Sequence, residues 1–268
     1  MIPGHPAIRA YLASYRFGPS AGEFAAFVGA ARSAVVVAAA ADVWPARARA
    51  GAVDSELRSL REIGLQATEL DLRPHVSPHH RGPDAVLLRA LDAADLVWVR
   101  GGNTYVLQAQ LVRSGAGAAI DERVRAGALA YAGYSAGACI AGPTTIGLDA
   151  SDDPREVAEL DEVGAPESPS GTPGSEGLSL APFCVVPHAR DASGEQSLLG
   201  TAEQVADTVA AIERAGFTAL ELGDDAAAVT DGDGRWRHVT PVTRTPIDVS
   251  ASRTGAGPGQ PPAPGRSS

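Results

Sequence analysis

The chain has 268 residues, 22 basic and 32 acidic, giving a formal net charge of −10, and every basic residue is arginine. A chain with no lysine excludes a Schiff-base or pyridoxal site and a P-loop, all of which need one. An acidic chain without basic runs is also a poor partner for nucleic acid or an anionic membrane.

The elements follow in chain order. Ala7 to Tyr15 reads as a first strand, and Ser33 to Ala40 is an apolar run of the kind buried on both faces of a sheet. Ala46 to Ile63 is helical, with Leu57, Leu60 and Ile63 on one face, and Leu65 to Leu72 is a strand. A helix over Asp84 to Ala93 precedes a strand at Leu96 to Arg100. Tyr105 to Ser114 and Ala118 to Ala126 are helical, Ala128 to Tyr134 is a strand, and Ala136 to Ala141 starts a helix. Asp149 to Gly177 is rich in Asp, Glu, Pro, Gly and Ser and reads as a long loop, with one short helix at Pro154 to Leu160. Phe183 to Pro187 resumes as a strand and Ala202 to Ala215 as a helix. Thr218 to Leu222, Ala226 to Thr230 and Trp236 to Val239 are short strands, the last two joined by a turn at Asp231 to Gly234.

This alternation predicts an α/β fold, with a mostly parallel sheet flanked by helices. Residues 1–244 are expected to form one domain, and 245–268 a disordered tail rich in Pro, Gly and Ser. Cys139 and Cys184 are too few for a disulfide framework and read as buried thiols in a reducing compartment. The first residues hold no apolar signal-peptide core, and no stretch approaches the roughly 20 apolar residues of a membrane span. A cytoplasmic monomer or homodimer is expected.

Gly133-Tyr134-Ser135-Ala136-Gly137 lies between a predicted strand and a predicted helix. That is the pattern of a nucleophile elbow, in which small neighbours let a sharp turn hold the serine hydroxyl out of the sheet top. The helix N-terminus behind it offers N–H groups to a developing oxyanion. Gly101-Gly102-Asn103-Thr104 follows the Leu96 strand, and Asn103 is the sole asparagine of the chain. A Gly-Gly pair there lets backbone approach a ligand, while Asn103 or Thr104 caps the next helix or meets substrate. Serine needs a base. His188 alone among the histidines ends an apolar strand, whereas His5 and His238 lie near the ends and His75, His79 and His80 fall in a Pro-rich loop.

Together, GGNT after a strand, GYSAGA about thirty residues later with Gly142-Pro143 following, and Val186-Pro187-His188 resemble the aspartyl dipeptidase (peptidase E) and cyanophycinase family of serine peptidases. The likeness of element order covers about residues 7 to 240. It implies a flavodoxin-type sheet like that of class I glutamine amidotransferases, with Ser135 as nucleophile and His188 as general base. For the third member, Asp152-Asp153-Pro154 resembles the family's Asp-x-Pro motif and ranks Asp152 first. Asp224, after the Thr218 strand, ranks second, and Asp191 lies close behind His188. The oxyanion donors expected are the N–H groups of Ala136 and Gly102, with Gly101 as a further candidate.

The expected substrate is a small peptide, with no metal or organic cofactor implied. A preference for N-terminal Asp would need a cation at the site. The stretch after Gly142-Pro143 carries none, leaving Arg155 and Arg190 as candidates. Three alternatives stay open: an α/β-hydrolase esterase, a cyanophycinase-like enzyme, and a catalytically silent binding protein on the same fold.

Overall fold

Short apolar strands that repeat through the first half of the chain assemble into the centre of the molecule. The computed structural model describes residues 8–76, 82–163 and 175–248. Strands β1 (Arg9–Ala13), β2 (Ser33–Val37), β3 (Gln66–Glu69), β4 (Leu96–Val99) and β5 (Ala130–Tyr134) lie parallel, in the order β1-β5-β4-β2-β3. β4 and β5 are buried along their whole length, as the absence of polar alternation in their sequences dictates.

Helices cover both faces. α1 (Ala21–Val28) and α2 (Ala46–Glu62) pack Phe24, Phe27 and Leu60 against Tyr11, Trp98 and Tyr134 on one face. α3 (Ala85–Asp92), α4 (Thr104–Ser114), α5 (Ala116–Arg125) and α6 (Ala136–Cys139) meet Val97, Val99 and Tyr131 on the other. α1 is absent from the sequence expectations. Its sequence, AGEFAAFV, has no clear polar face, though Ser20 caps it by accepting from Glu23 N.

The second half of the chain departs from the parallel pattern. β6 (Cys184–Ala189) and β7 (Ala219–Gly223) form a separate parallel pair, packed on α7 (Ala202–Arg214). β8 (Ala227–Asp231) and β9 (Arg237–Val239) pair antiparallel, as the hairpin reading of Asp231 to Gly234 expects, and β8 joins the main sheet beside β1. β10 (Arg244–Pro246) pairs with β9, so the first residues of the expected tail belong to the sheet edge. Residues 249–268 lie outside the described residues, as do 164–174 of the expected long loop, and Pro154–Val163 form a 3₁₀ helix.

The run expected as one strand over Ser33 to Ala40 ends at Val37 and turns into a 3₁₀ helix at Ala39–Ala41. The turn has a use. Val37 O and Ala40 O accept from Arg100 N and Asn103 N at 3.1 and 3.0 Å, seating the loop after β4. Among the described residues no helix is long and apolar enough to cross a membrane.

Candidate active site

β5 runs directly into α6, and Ser135 occupies the corner at φ 49°, ψ −119°. A side chain tolerates that conformation only when its surroundings hold it. Here Ser135 N donates to Ala13 O at 3.1 Å, and Ser135 O accepts from Ala138 N and Cys139 N at 2.8 and 2.9 Å. A Cβ on Gly137 would come within 2.1 Å of Val99 O, so α6 can cross β4 this closely only with glycine there.

His188 adopts φ 61°, at a point where the register of β6 against β7 shifts between Val186 and Ala189. Such an irregularity re-aims a side chain at a strand end. The N–H of His188 donates to Ser14 Oγ at 2.8 Å. Its Nε2 lies 3.1 Å from Ser135 Oγ, and its Nδ1 lies 2.8 Å from Asp224 Oδ1.

Asp224 follows β7 and is held by hydroxyls. Ser14 Oγ donates to Oδ1 at 2.9 Å and Ser197 Oγ donates to Oδ2 at 2.5 Å. Burial pushes this carboxyl up, but the hydrogen bonds from His188, Ser197 and Ser14 outweigh burial and hold it below the usual carboxylate range. An ionised carboxylate only accepts, so the His188 proton sits on Nδ1 and the Nε2 lone pair faces Ser135.

The sequence ranked Asp152 ahead of Asp224, but the geometry joins Asp224 to the imidazole. Asp152 Oδ2 instead accepts from Thr104 N at 2.8 Å. Next to it, Asp153 O accepts from Asn103 Nδ2 at 2.8 Å. The two acids therefore latch the GGNT loop. Burial raises the Asp152 carboxyl above its usual value, against the hydrogen bonding of Thr104 and the charge of His188. Asp191 takes the N–H groups of Ser193 and Glu195 in its own turn.

Asn103 is a cap: its Oδ1 accepts from Tyr105 N and Val106 N at 2.9 and 3.1 Å, with its amide on Asp153. Gly102 sits at φ 144°, where an added Cβ would lie 2.5 Å from Ala40 O. Ala136 opens α6, so its N–H has no acceptor within the helix. Among the described residues neither it nor Gly102 N donates to a loop carbonyl.

A cavity of about 310 Å³ lies over Ser135 and His188, walled by Gly101, Gly102, Thr104 and Asp152. That size suits a small ligand. Arg155 and Arg190 are outside it. Arg155 is exposed and forked onto Asp153 at 2.8 Å, and Arg190 Nη1 donates to Gly194 O at 2.9 Å. Among the described residues, the arginines lining the cavity are Arg16 and Arg100.

The family model for peptidase family S51 matches residues 21–233. The chain belongs to peptidase family S51. An uncharacterized peptidase of Listeria innocua, Lin0382, is 32% identical over 136 residues, covering 51% of this chain and 56% of the relative. Peptidase E of Streptomyces coelicolor is 38% identical over 112 residues, covering 42% and 38%. The chain thus spans about half, or less, of the curated relatives it matches. A crystal structure of a candidate peptidase E protein from Listeria monocytogenes superposes with a TM-score of 0.66 at 20% identity, covering 87% of this chain and 98% of that one. A peptidase from an acI-B1 Actinobacterium gives 0.59 at 16% identity, covering 91% and 95%. These last two likenesses are of fold. The S51 chain therefore carries the α/β scaffold expected of it, and the match removes the α/β-hydrolase alternative.

Ser14, Ser197, Arg16 and Arg100 escaped the sequence reading. Ser14 and Ser197 are ordinary serines in sequence, and only the tertiary fold brings Ser14 to Asp224, 210 residues away. Arg100 had a signal: it ends an apolar strand at the carboxyl edge of a parallel sheet.

Proposed function

We propose that this S51 chain is a serine-type peptidase that hydrolyses small peptides by acyl transfer, with Ser135, His188 and Asp224 as its triad. The contact chain from Ser135 Oγ to His188 Nε2, and from His188 Nδ1 to Asp224 Oδ1, carries the reading. His188 Nε2 takes the Ser135 proton as Oγ bonds to the scissile carbonyl carbon. Charge developing on the carbonyl oxygen rests on the N–H groups of Gly102 and Ala136, with Gly101 beside them. Asp224 holds the imidazole tautomer and stabilises the imidazolium. The C–N bond then breaks as His188 protonates the leaving amine. Water, deprotonated in turn by His188, hydrolyses the acyl-enzyme and returns the proton to Ser135. In this reading Asp152 is a positioning residue, latching the oxyanion loop through Thr104.

A dipeptide or short chain fits a cavity of about 310 Å³ better than a folded protein would. A preference for N-terminal Asp belongs to the same reading, and its cation must come from the cavity wall. A cytoplasmic location accords with two buried, unbridged cysteines. A fluorophosphonate probe tests the chemistry. Labelling at Ser135 in folded protein, abolished by Ser135→Ala, is expected. No labelling would favour a silent binding protein on this fold.

A further inference from the structure

We propose that Glu56 is a positioning residue that braces the oxyanion site, fixing the loop after β4 against the elbow after β5. The inference rests on the peptidase reading above and concerns the two loops whose N–H groups that reading assigns to the oxyanion.

Glu56 lies on α2, in the inward stripe of Arg49, Val53, Glu56 and Leu60. Spacing of three and four residues suits such a position to an apolar side chain, yet here it holds a carboxylate only 2% exposed. Tyr134 Oη donates to Glu56 Oε1 at 2.7 Å, and Trp98 Nε1 donates to Oε2 at 2.9 Å. The Arg100 guanidinium, with Nε 3.5 Å from Oε1, is the charge partner. Apolar side chains of similar volume would also hold α2 on the sheet, and replacing a buried ion pair that way is often neutral or stabilising. What the carboxylate adds is direction, because each oxygen is held by its own donor.

The three partners gather at the carboxyl end of the parallel sheet. Trp98 is in β4, and Arg100 follows that strand two residues before Gly102. Tyr134 ends β5 two residues before Ala136. Glu56 therefore ties together the two strand ends that carry the proposed oxyanion donors. The loops also meet directly. A Cβ on Gly101 would come within 2.8 Å of Ser135 Cβ and 3.0 Å of Tyr134 Cε2, so the Tyr134 ring spans from Glu56 to the Gly101 backbone. The Trp98 and Tyr134 rings pack with centroids 5.6 Å apart. Burial, helped by the charge of Glu56, raises the Tyr134 phenol well above its usual value and keeps its hydroxyl a donor. Glu56 itself does not line the cavity, so it acts through these neighbours. Oxyanion donors work only when placed for the tetrahedral oxygen, and a misplacement of about 1 Å costs on the order of 10² in rate.

Three variants test the brace. Tyr134→Phe removes one hydroxyl and leaves the ring. Glu56→Leu fills the space and cuts both bonds. Glu56→Gln can keep both, its amide oxygen accepting from Trp98 and its NH2 donating to Tyr134 Oη. With sites counted by fluorophosphonate labelling, Tyr134→Phe and Glu56→Leu are expected to lower kcat for a dipeptide roughly 10- to 100-fold with little change in KM. Glu56→Gln should recover most of that loss. Amide hydrogen exchange over residues 100–104 and 134–138 reads the brace without any chemistry, and both segments should exchange roughly 2- to 10-fold faster in Tyr134→Phe. That variant decides the matter if Glu56→Leu does not fold. A loss confined to KM or to melting temperature, with kcat per site and exchange as in the wild type, would overturn the brace, as would a Glu56→Gln protein no more active than Glu56→Leu. Failure of the wild type to label or to turn over would overturn the peptidase reading alone, because exchange still reports on the brace.

Discussion

The Oγ of Ser14 accepts the backbone N–H of His188 at 2.8 Å, and this bond pins a histidine whose φ of 61° few side chains adopt. The same hydroxyl donates to Asp224 Oδ1, so one buried serine sets both the backbone and the acid partner of the imidazole. Ser14→Ala should lower kcat roughly 10²-fold by misplacing the ring. It should also cost about 1–3 kcal/mol of stability by leaving a buried N–H unpaired. Steady-state kinetics and denaturant melts check both, and an unchanged kcat would remove Ser14 from the account.

The two acids give the clearest contrast. Asp224→Asn keeps the shape but favours the wrong imidazole tautomer, and should reduce kcat by roughly 10⁴. Asp152→Asn keeps an acceptor oxygen for Thr104 N and should cost less than about 10². Side-by-side kinetics on one dipeptide decide. The reverse order would restore Asp152 as the triad acid.

Gly102→Ala tests the oxyanion loop. Its Cβ would press on Ala40 O at a φ of 144°, displacing the loop and its N–H. A fall of roughly 10²–10³ in kcat is expected, with Ser135 still in place. Activity close to wild type would assign the second donor elsewhere.

Stability against pH follows from Asp152. Burial raises its carboxyl in the folded state, so the folded protein binds more protons than the unfolded chain between the unfolded value of about 3.9 and the raised one. Wild-type stability from this group therefore falls as pH rises through that window. Asparagine does not titrate. Asp152→Asn should be at least as stable as wild type at pH 7, with the gap narrowing toward pH 4. Melting temperatures across that range measure it, and a gap that widens on acidification would contradict the sign.

Much of this was legible in sequence because it is local. The parallel strands announce themselves as apolar runs, and the elbow and the GGNT loop each lie within a few residues of a strand end. His188 stood out by ending Phe183 to Pro187. The missing parts depend on distance. Asp224 and Asp152 both follow elements near the sheet top, and spacing alone cannot tell which reaches a ring displaced by an irregularity in β6. α1 lacked a polar face to give it a period, and Arg100 read as the end of a strand until Glu56 and Trp44 folded around it.

The central claim is that Ser135 is the nucleophile of a peptidase. Its most direct measurement is hydrolysis of a dipeptide panel including Asp-Leu by wild-type and Ser135→Ala protein. The account predicts turnover by the wild type and a loss of roughly 10⁶ in the variant. Undiminished hydrolysis by Ser135→Ala would contradict it.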